Sequence, residues 1–132
     1  LDPADIATMA DGAIVFALAN PTPEVDPIGA GEYAAVVATG RSDYPNQINN
    51  VLAFPGLFRG LLDAKVKEIT TEVLRVAAVA IADVIEEDEL SRSYIIPGVF
   101  DERVAPAVSR AVCTAVRDLP TLNIPVQEDM DA

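Results

Sequence analysis

The sequence predicts an α/β fold of parallel strands flanked by helices, and three observations predict it. Two short apolar runs show no alternation of apolar with polar residues. The segment between them is too rich in proline and glycine for a long helix, and later stretches place apolar residues at three-and-four spacing. Strands that are apolar throughout belong to parallel sheets covered by helices, whereas three-and-four spacing marks a helix with one face against a neighbour.

The first run, Ala13-Ile14-Val15-Phe16-Ala17-Leu18-Ala19, is bounded by Asp11-Gly12 and Asn20-Pro21. Its shortness and β-branched content favour a strand, read here as buried on both faces. The second, Ala34-Ala35-Val36-Val37-Ala38, ends at Thr39-Gly40 and is read the same way. Between them, Pro21, Pro23, Pro27, Gly29 and Gly31 leave room for a short helical turn at most.

From Asp43 onwards two helical pieces are expected, kinked or broken near Pro55, because proline suits a first helical turn. A longer helix is expected from about Val66 to Glu87, on the spacing of Val66, Ile69, Val73, Val76, Ala77, Ala80, Ile81 and Val84. Tyr94 to Gly98 reads as an extended piece closed by a Pro-Gly turn. Asp101 offers an N-cap for a last helix to about Leu119, regular from near Pro106. In that helix Val104, Val108, Ala111, Val112, Ala115 and Leu119 form an apolar band, Arg103, Arg110 and Arg117 a solvated stripe, and Cys113 a small hydrophobe at the border. Residues 1–119 are read as one unit and residues 120–132 as a loosely ordered acidic tail.

Composition narrows the function. With 132 residues and 51% hydrophobic content the chain can bury a core. A net charge of -12, with no Lys/Arg cluster, argues against nucleic acid and membrane surfaces as partners. One cysteine and no histidine leave neither an internal disulfide nor a zinc site, and point to a reducing, cytoplasmic setting. No metal ligands and no catalytic residues are assigned within the chain. Because the chain opens Leu1-Asp2-Pro3 and has two strands where a parallel sheet needs more, it is expected to be part of a longer fold.

Neither Gly-x-Gly-x-x-Gly nor a Walker-type glycine loop occurs, so a dinucleotide-binding fold here would be represented by its later part. Ligands of open α/β sheets bind beyond the carboxyl ends of the strands. Asn20 follows the first strand, and its carboxamide either contacts a ligand there or closes an Asx turn before Pro21. The second strand runs into Arg41-Ser42-Asp43-Tyr44-Pro45-Asn46-Gln47-Ile48-Asn49-Asn50, whose amides either cap helices or bind an anion at a helix N-terminus.

Two stretches carry a resemblance. They are Ala17-Leu18-Ala19-Asn20-Pro21-Thr22-Pro23-Glu24 and the run from Ala38-Thr39-Gly40-Arg41-Ser42-Asp43-Tyr44-Pro45-Asn46-Gln47-Ile48-Asn49-Asn50 through Phe54-Pro55-Gly56-Leu57-Phe58-Arg59-Gly60 to Ala64. Together, over about 35 residues, they resemble the C-terminal part of the NAD(P)-binding domain of bacterial malic enzymes. The resemblance implies the later part of a Rossmann-like domain. It also implies oxidative decarboxylation of (S)-malate to pyruvate and carbon dioxide, with NAD or NADP as hydride acceptor and Mg²⁺ or Mn²⁺ held by residues outside this chain. The family's catalytic Lys and Tyr also lie upstream. Carried over residue by residue, Asn20 is implied near malate and the nicotinamide, and Asn49 and Asn50 are implied as malate contacts. Arg41, Asp43 and Arg59 lie in the signature too; they are read as buried or interfacial ion-pair residues, with ligand contact as the alternative, and are not assigned as sites. The implied partners are malate or pyruvate, the upstream part of the same enzyme and further copies in a homo-oligomer. A noncatalytic segment that docks through an unpaired sheet edge is the alternative.

Overall fold

The computed structural model describes residues 1–118. The expected tail 120–132 and Leu119, the expected end of the last helix, lie outside them. Two one-turn helices, α1 (Pro3–Ile6) and α2 (Pro27–Ala30), accompany two strands, β1 (Ile14–Ala17) and β2 (Val36–Thr39). A 3₁₀ turn, Asn50–Leu52, leads into three longer helices, α3 (Phe54–Asp63), α4 (Thr71–Ala82) and α5 (Val104–Asp118). None of the helices among the described residues is long and apolar enough to cross a membrane.

The strands pair in parallel, Ile14 with Val36 through Ala17 with Thr39, as continuous apolar runs predict. The expectation that β1 is buried on both faces is corrected: Ile14 is 60% and Phe16 56% exposed. Side chains alternate between faces, so the face carrying Val15 and Ala17 is covered while the other faces outward. No described element packs over that second face of β1.

Helix boundaries follow caps rather than apolar spacing. The expected helix from Val66 to Glu87 is shorter, Thr71–Ala82. Lys65, at φ 55°, closes α3 in the left-handed region, and the Thr70 hydroxyl accepts the Val73 N–H at 3.3 Å to open α4. Val66 and Ile69 therefore lie in the connection. The break expected near Pro55 is present, with Ala53 between the 3₁₀ turn and α3. Asp101 acts ahead of α5: its carboxylate accepts the Arg103 N–H at 2.9 Å and its carbonyl accepts the Val104 N–H at 3.2 Å. Arg103 does not simply face solvent, since it forks onto Asp101 at 2.8 Å and reaches Glu89 at 3.5 Å. Cys113 is half-buried, as a residue at the border of the apolar band should be.

The core has two parts. Ile6, Ala17, Val25, Ala30 and Ala34 pack beneath the sheet. Leu52, Leu57, Leu61, Val73, Ala77, Val108 and Val112 join α3, α4 and α5. Gly56 and Gly60, one turn apart, let α3 lie directly on α5. A Cβ on Gly56 would stand 2.6 Å from the Ala105 carbonyl oxygen and from Val108 Cβ, and one on Gly60 2.8 Å from the Ser109 oxygen and Val112 Cβ.

Because neither helix backbone can give way locally, Gly56→Ala and Gly60→Ala are each expected to destabilise the chain by about 1–3 kcal/mol. Leu62→Ala, on the exposed face of the same helix, should stay within about 0.5 kcal/mol. Denaturant unfolding of the three variants measures this; equal midpoints for all three would show that the α3–α5 contact is not the close one seen.

Candidate functional site

The carboxyl ends of β1 and β2 open onto two loops, and most of the polar residues singled out from the sequence lie there. The first loop follows β1. Its Ala19 N–H donates to the Glu24 carboxylate at 3.1 Å, folding residues 19–24 back on themselves. This bond, first among the causes, holds the Glu24 carboxyl below the usual carboxylate range.

Within this loop Asn20 precedes Pro21 through a cis peptide bond, and its side chain crosses to the end of β2. A Cβ placed on Gly40 would lie 3.0 Å from Asn20 Nδ2 and 3.1 Å from Oδ1. Only glycine leaves the carboxamide its full room. Gly40 was not singled out from the sequence. Its signal is a glycine at the first position past a buried strand, where a close approach is expected.

The second loop leaves β2 at Gly40. Arg41 forks onto Asp43, Nε to Oδ1 at 2.8 Å and Nη2 to Oδ2 at 2.6 Å, and its Nη1 reaches the Pro21 carbonyl at 3.4 Å. The guanidinium also lies over the Tyr44 ring, 5.6 Å from its centroid. The fork holds the Asp43 carboxyl below its usual range and raises Arg41. Both are therefore ion-pair residues, though the pair is exposed rather than buried, and Arg41 ties the two loops together. Arg59 pairs with Asp63 one turn along α3, on the exposed surface.

The loop then returns to β2. Gln47 bridges Thr39 in parallel, and the Ile48 N–H donates to the Thr39 carbonyl at 2.7 Å. This fixes Asn49 two residues beyond the bridge to Thr39. Asn49 is exposed, and its Oδ1 accepts the Val51 N–H at 3.0 Å, capping the 3₁₀ turn. The capping role expected of these amides is thus real for Asn49, and it uses the oxygen of an exposed carboxamide. Asn50, the first residue of that turn, is also exposed.

Asn46 does something different. It is 6% exposed, with φ 56°, and it spends its whole carboxamide on structure. Nδ2 donates to the Val37 carbonyl at 3.0 Å and the Arg92 carbonyl at 2.9 Å, while Oδ1 accepts the Ile95 N–H at 2.9 Å. In the sequence it is one amide among several.

No three His, Cys, Asp or Glu side chains gather among the described residues as one metal ion would require. The edge offers amides, backbone groups and a self-satisfied ion pair. It suits orientation of a polar ligand rather than proton transfer or metal binding.

A family profile described as "Malic enzyme, NAD binding domain" matches residues 3–119. The NAD-dependent malic enzyme of Geobacillus stearothermophilus is 58% identical over 111 residues, covering 84% of this chain and 23% of that protein. The bifunctional malic/malolactic enzyme of Bacillus subtilis is 51% identical over 125 residues, 94% of this chain and 30% of that protein. The crystal structure of a malic enzyme from Pyrococcus horikoshii superposes with a TM-score of 0.83 at 48% identity, over 88% of this chain and 27% of that one. The chain thus spans about a quarter of the length of the relatives it matches. Its α/β fold is that of part of a Rossmann-like NAD-binding domain.

The Glu24 bond carries a pH dependence. A carboxyl depressed in the folded state contributes stability that is present above its unfolded value and is lost as pH falls through the folded one. Exchange protection of the Ala19 amide should therefore hold from neutral pH down to the usual carboxylate range and disappear below it. Glu24→Gln should flatten that acid transition. A Glu24→Gln profile identical to the parent's would remove Glu24 as its source.

Proposed function

We propose a function from one premise: this chain belongs to the malic enzyme family, as a segment of its NAD-binding domain. In the longer protein the segment lines the substrate and nicotinamide side of an enzyme that converts (S)-malate to pyruvate and carbon dioxide while reducing NAD or NADP. What supports this reading is that Asn20 and Asn49 both lie on the loops that follow the carboxyl ends of the two strands. Asn20 packs on Gly40, and Asn49 stands two residues beyond the bridge to Thr39.

The roles follow from the donor sets. Asn20 presents both a donor and an acceptor, which matches the amide of a nicotinamide or the hydroxyl of malate. Asn49, with Oδ1 held by Val51, turns Nδ2 towards an anion, and Asn50 adds a second exposed amide. NAD or NADP, when bound, supplies the hydride acceptor. The Mg²⁺ or Mn²⁺ of this reaction class is assigned to residues outside the chain, as are the Lys and Tyr that manage protons. A half-buried lone thiol fits a cytoplasmic enzyme, and the exposed apolar residues of β1 fit contact with the upstream part or a second copy.

The second reading is a noncatalytic module that docks through its sheet edge; the edge of β1 not paired with β2, with Ile14 and Phe16 exposed on the adjoining face, favours it. One variant separates the two. Loss of a hydrogen bond to a charged ligand costs about 1.5–3 kcal/mol. Asn49→Ala in the full-length protein is therefore expected to lower kcat/KM for malate about 10- to 100-fold. Steady-state kinetics with malate, NAD(P) and Mn²⁺ measures it, and unchanged kinetics in a folded variant would sink the substrate-contact role and leave the docking module.

A further inference from the structure

We propose that Asn46 is a positioning residue for malate, acting through Asn49 three places further along the same loop. This rests on the reading of Asn49 as a malate contact and extends it to a residue that touches no ligand.

Three features set Asn46 apart. It is buried, it holds a left-handed backbone that asparagine tolerates better than most residues, and all three of its side-chain hydrogen bonds leave its own loop. A carboxamide that merely closed a turn would bond to its neighbours. Asn46 instead joins β2, through Val37, to the segment after α4, through Arg92 and Ile95. Arg92 reinforces the same seam, donating from Nε to the Ala35 carbonyl and from Nη2 to the Ala34 carbonyl, both at 2.6 Å.

The path from this clamp to Asn49 has no slack. Gln47 follows immediately and bridges Thr39; Ile48 donates to the Thr39 carbonyl; Asn49 comes next and caps the 3₁₀ turn. Shifting Asn46 pulls Gln47 and Ile48 from the end of β2 and carries the Asn49 carboxamide with them. Catalytic alignment is lost over displacements of about 1 Å, so such a shift is felt in turnover. Asn20 is anchored through its own loop by the Ala19–Glu24 bond and meets the Asn46 loop only at Gly40 and through the Arg41–Pro21 bond, so the nicotinamide side should be disturbed less than the malate side.

The test uses the full-length protein with two variants. Asn46→Gly keeps the left-handed backbone and removes the carboxamide. Asn46→Asp keeps the shape and the acceptor for Ile95 but turns an oxygen towards two carbonyls. In whichever variant remains folded by circular dichroism, kcat/KM for malate should fall at least about tenfold while KM for NAD(P) stays within about twofold. Combined with Asn49→Ala, the Asn46 loss should nearly vanish, because a residue acting through another is not additive with it. Wild-type malate kinetics, an equal rise in the KM of NAD(P), or full additivity with Asn49→Ala would overturn the proposal. If Asn49→Ala alone changes nothing, the parent reading fails; if Asn49→Ala is impaired and the Asn46 variants are not, only the positioning role fails.

Discussion

The buried Asn46 carboxamide, with Arg92 beside it, is the constraint on which the relation between sheet and helices depends. The two core clusters, one under β1 and β2 and one among α3, α4 and α5, are separate sets of residues. What joins them across the outer edge of β2 is polar. Arg92 takes the Ala34 and Ala35 carbonyls, Asn46 takes Val37, and Ile48 takes Thr39. Those groups would otherwise form an open strand edge, with each orphaned buried group costing about 1–3 kcal/mol. The Arg92 and Asn46 side chains, with the Ile48 amide, therefore do at this edge what a third strand would do, and they bring the α4–α5 connection against the sheet.

The same seam explains which parts of the fold were legible. Both strands could be read because an apolar run without alternation has few other physical uses. The exposure of Ile14 and Phe16 could not, since burial of a parallel strand depends on layers that the strand's own sequence does not encode. Val66 and Ile69 continue the apolar spacing of α4 but stand outside it. The left-handed Lys65 and the Thr70 cap decide where that helix starts, and both act through backbone conformation rather than hydrophobic period.

The amide-rich loop shows a different limit. Asn46, Asn49 and Asn50 are chemically identical in sequence, and their density signals either capping or binding without apportioning the two. Tertiary context apportions them: Asn46 is spent on β2 and the 92–95 segment, and Asn49 spends its oxygen on Val51 but keeps its nitrogen. Asn50 stays exposed. An ion-pair role for Arg41 and Asp43 is legible in their opposite charges, but not that they pair with each other on the exposed surface. That Arg41 also reaches Pro21, and so ties the Asn20 loop to the Asn49 loop, depends on the pairing of β1 with β2.

Charge then limits what this edge can contribute. The chain carries a formal charge of -12, and Arg41, at the mouth of the two loops, is already matched by Asp43. A dicarboxylate such as malate gains little Coulombic attraction from such a surface, and amide donors supply direction more than charge compensation. On the proposed reading the affinity must come from cations outside residues 1–118, and the amides set the angle at which the substrate lies. That division makes precise placement of Asn49 matter more than its bare presence. It is also why a buried neighbour with no ligand contact can govern the site.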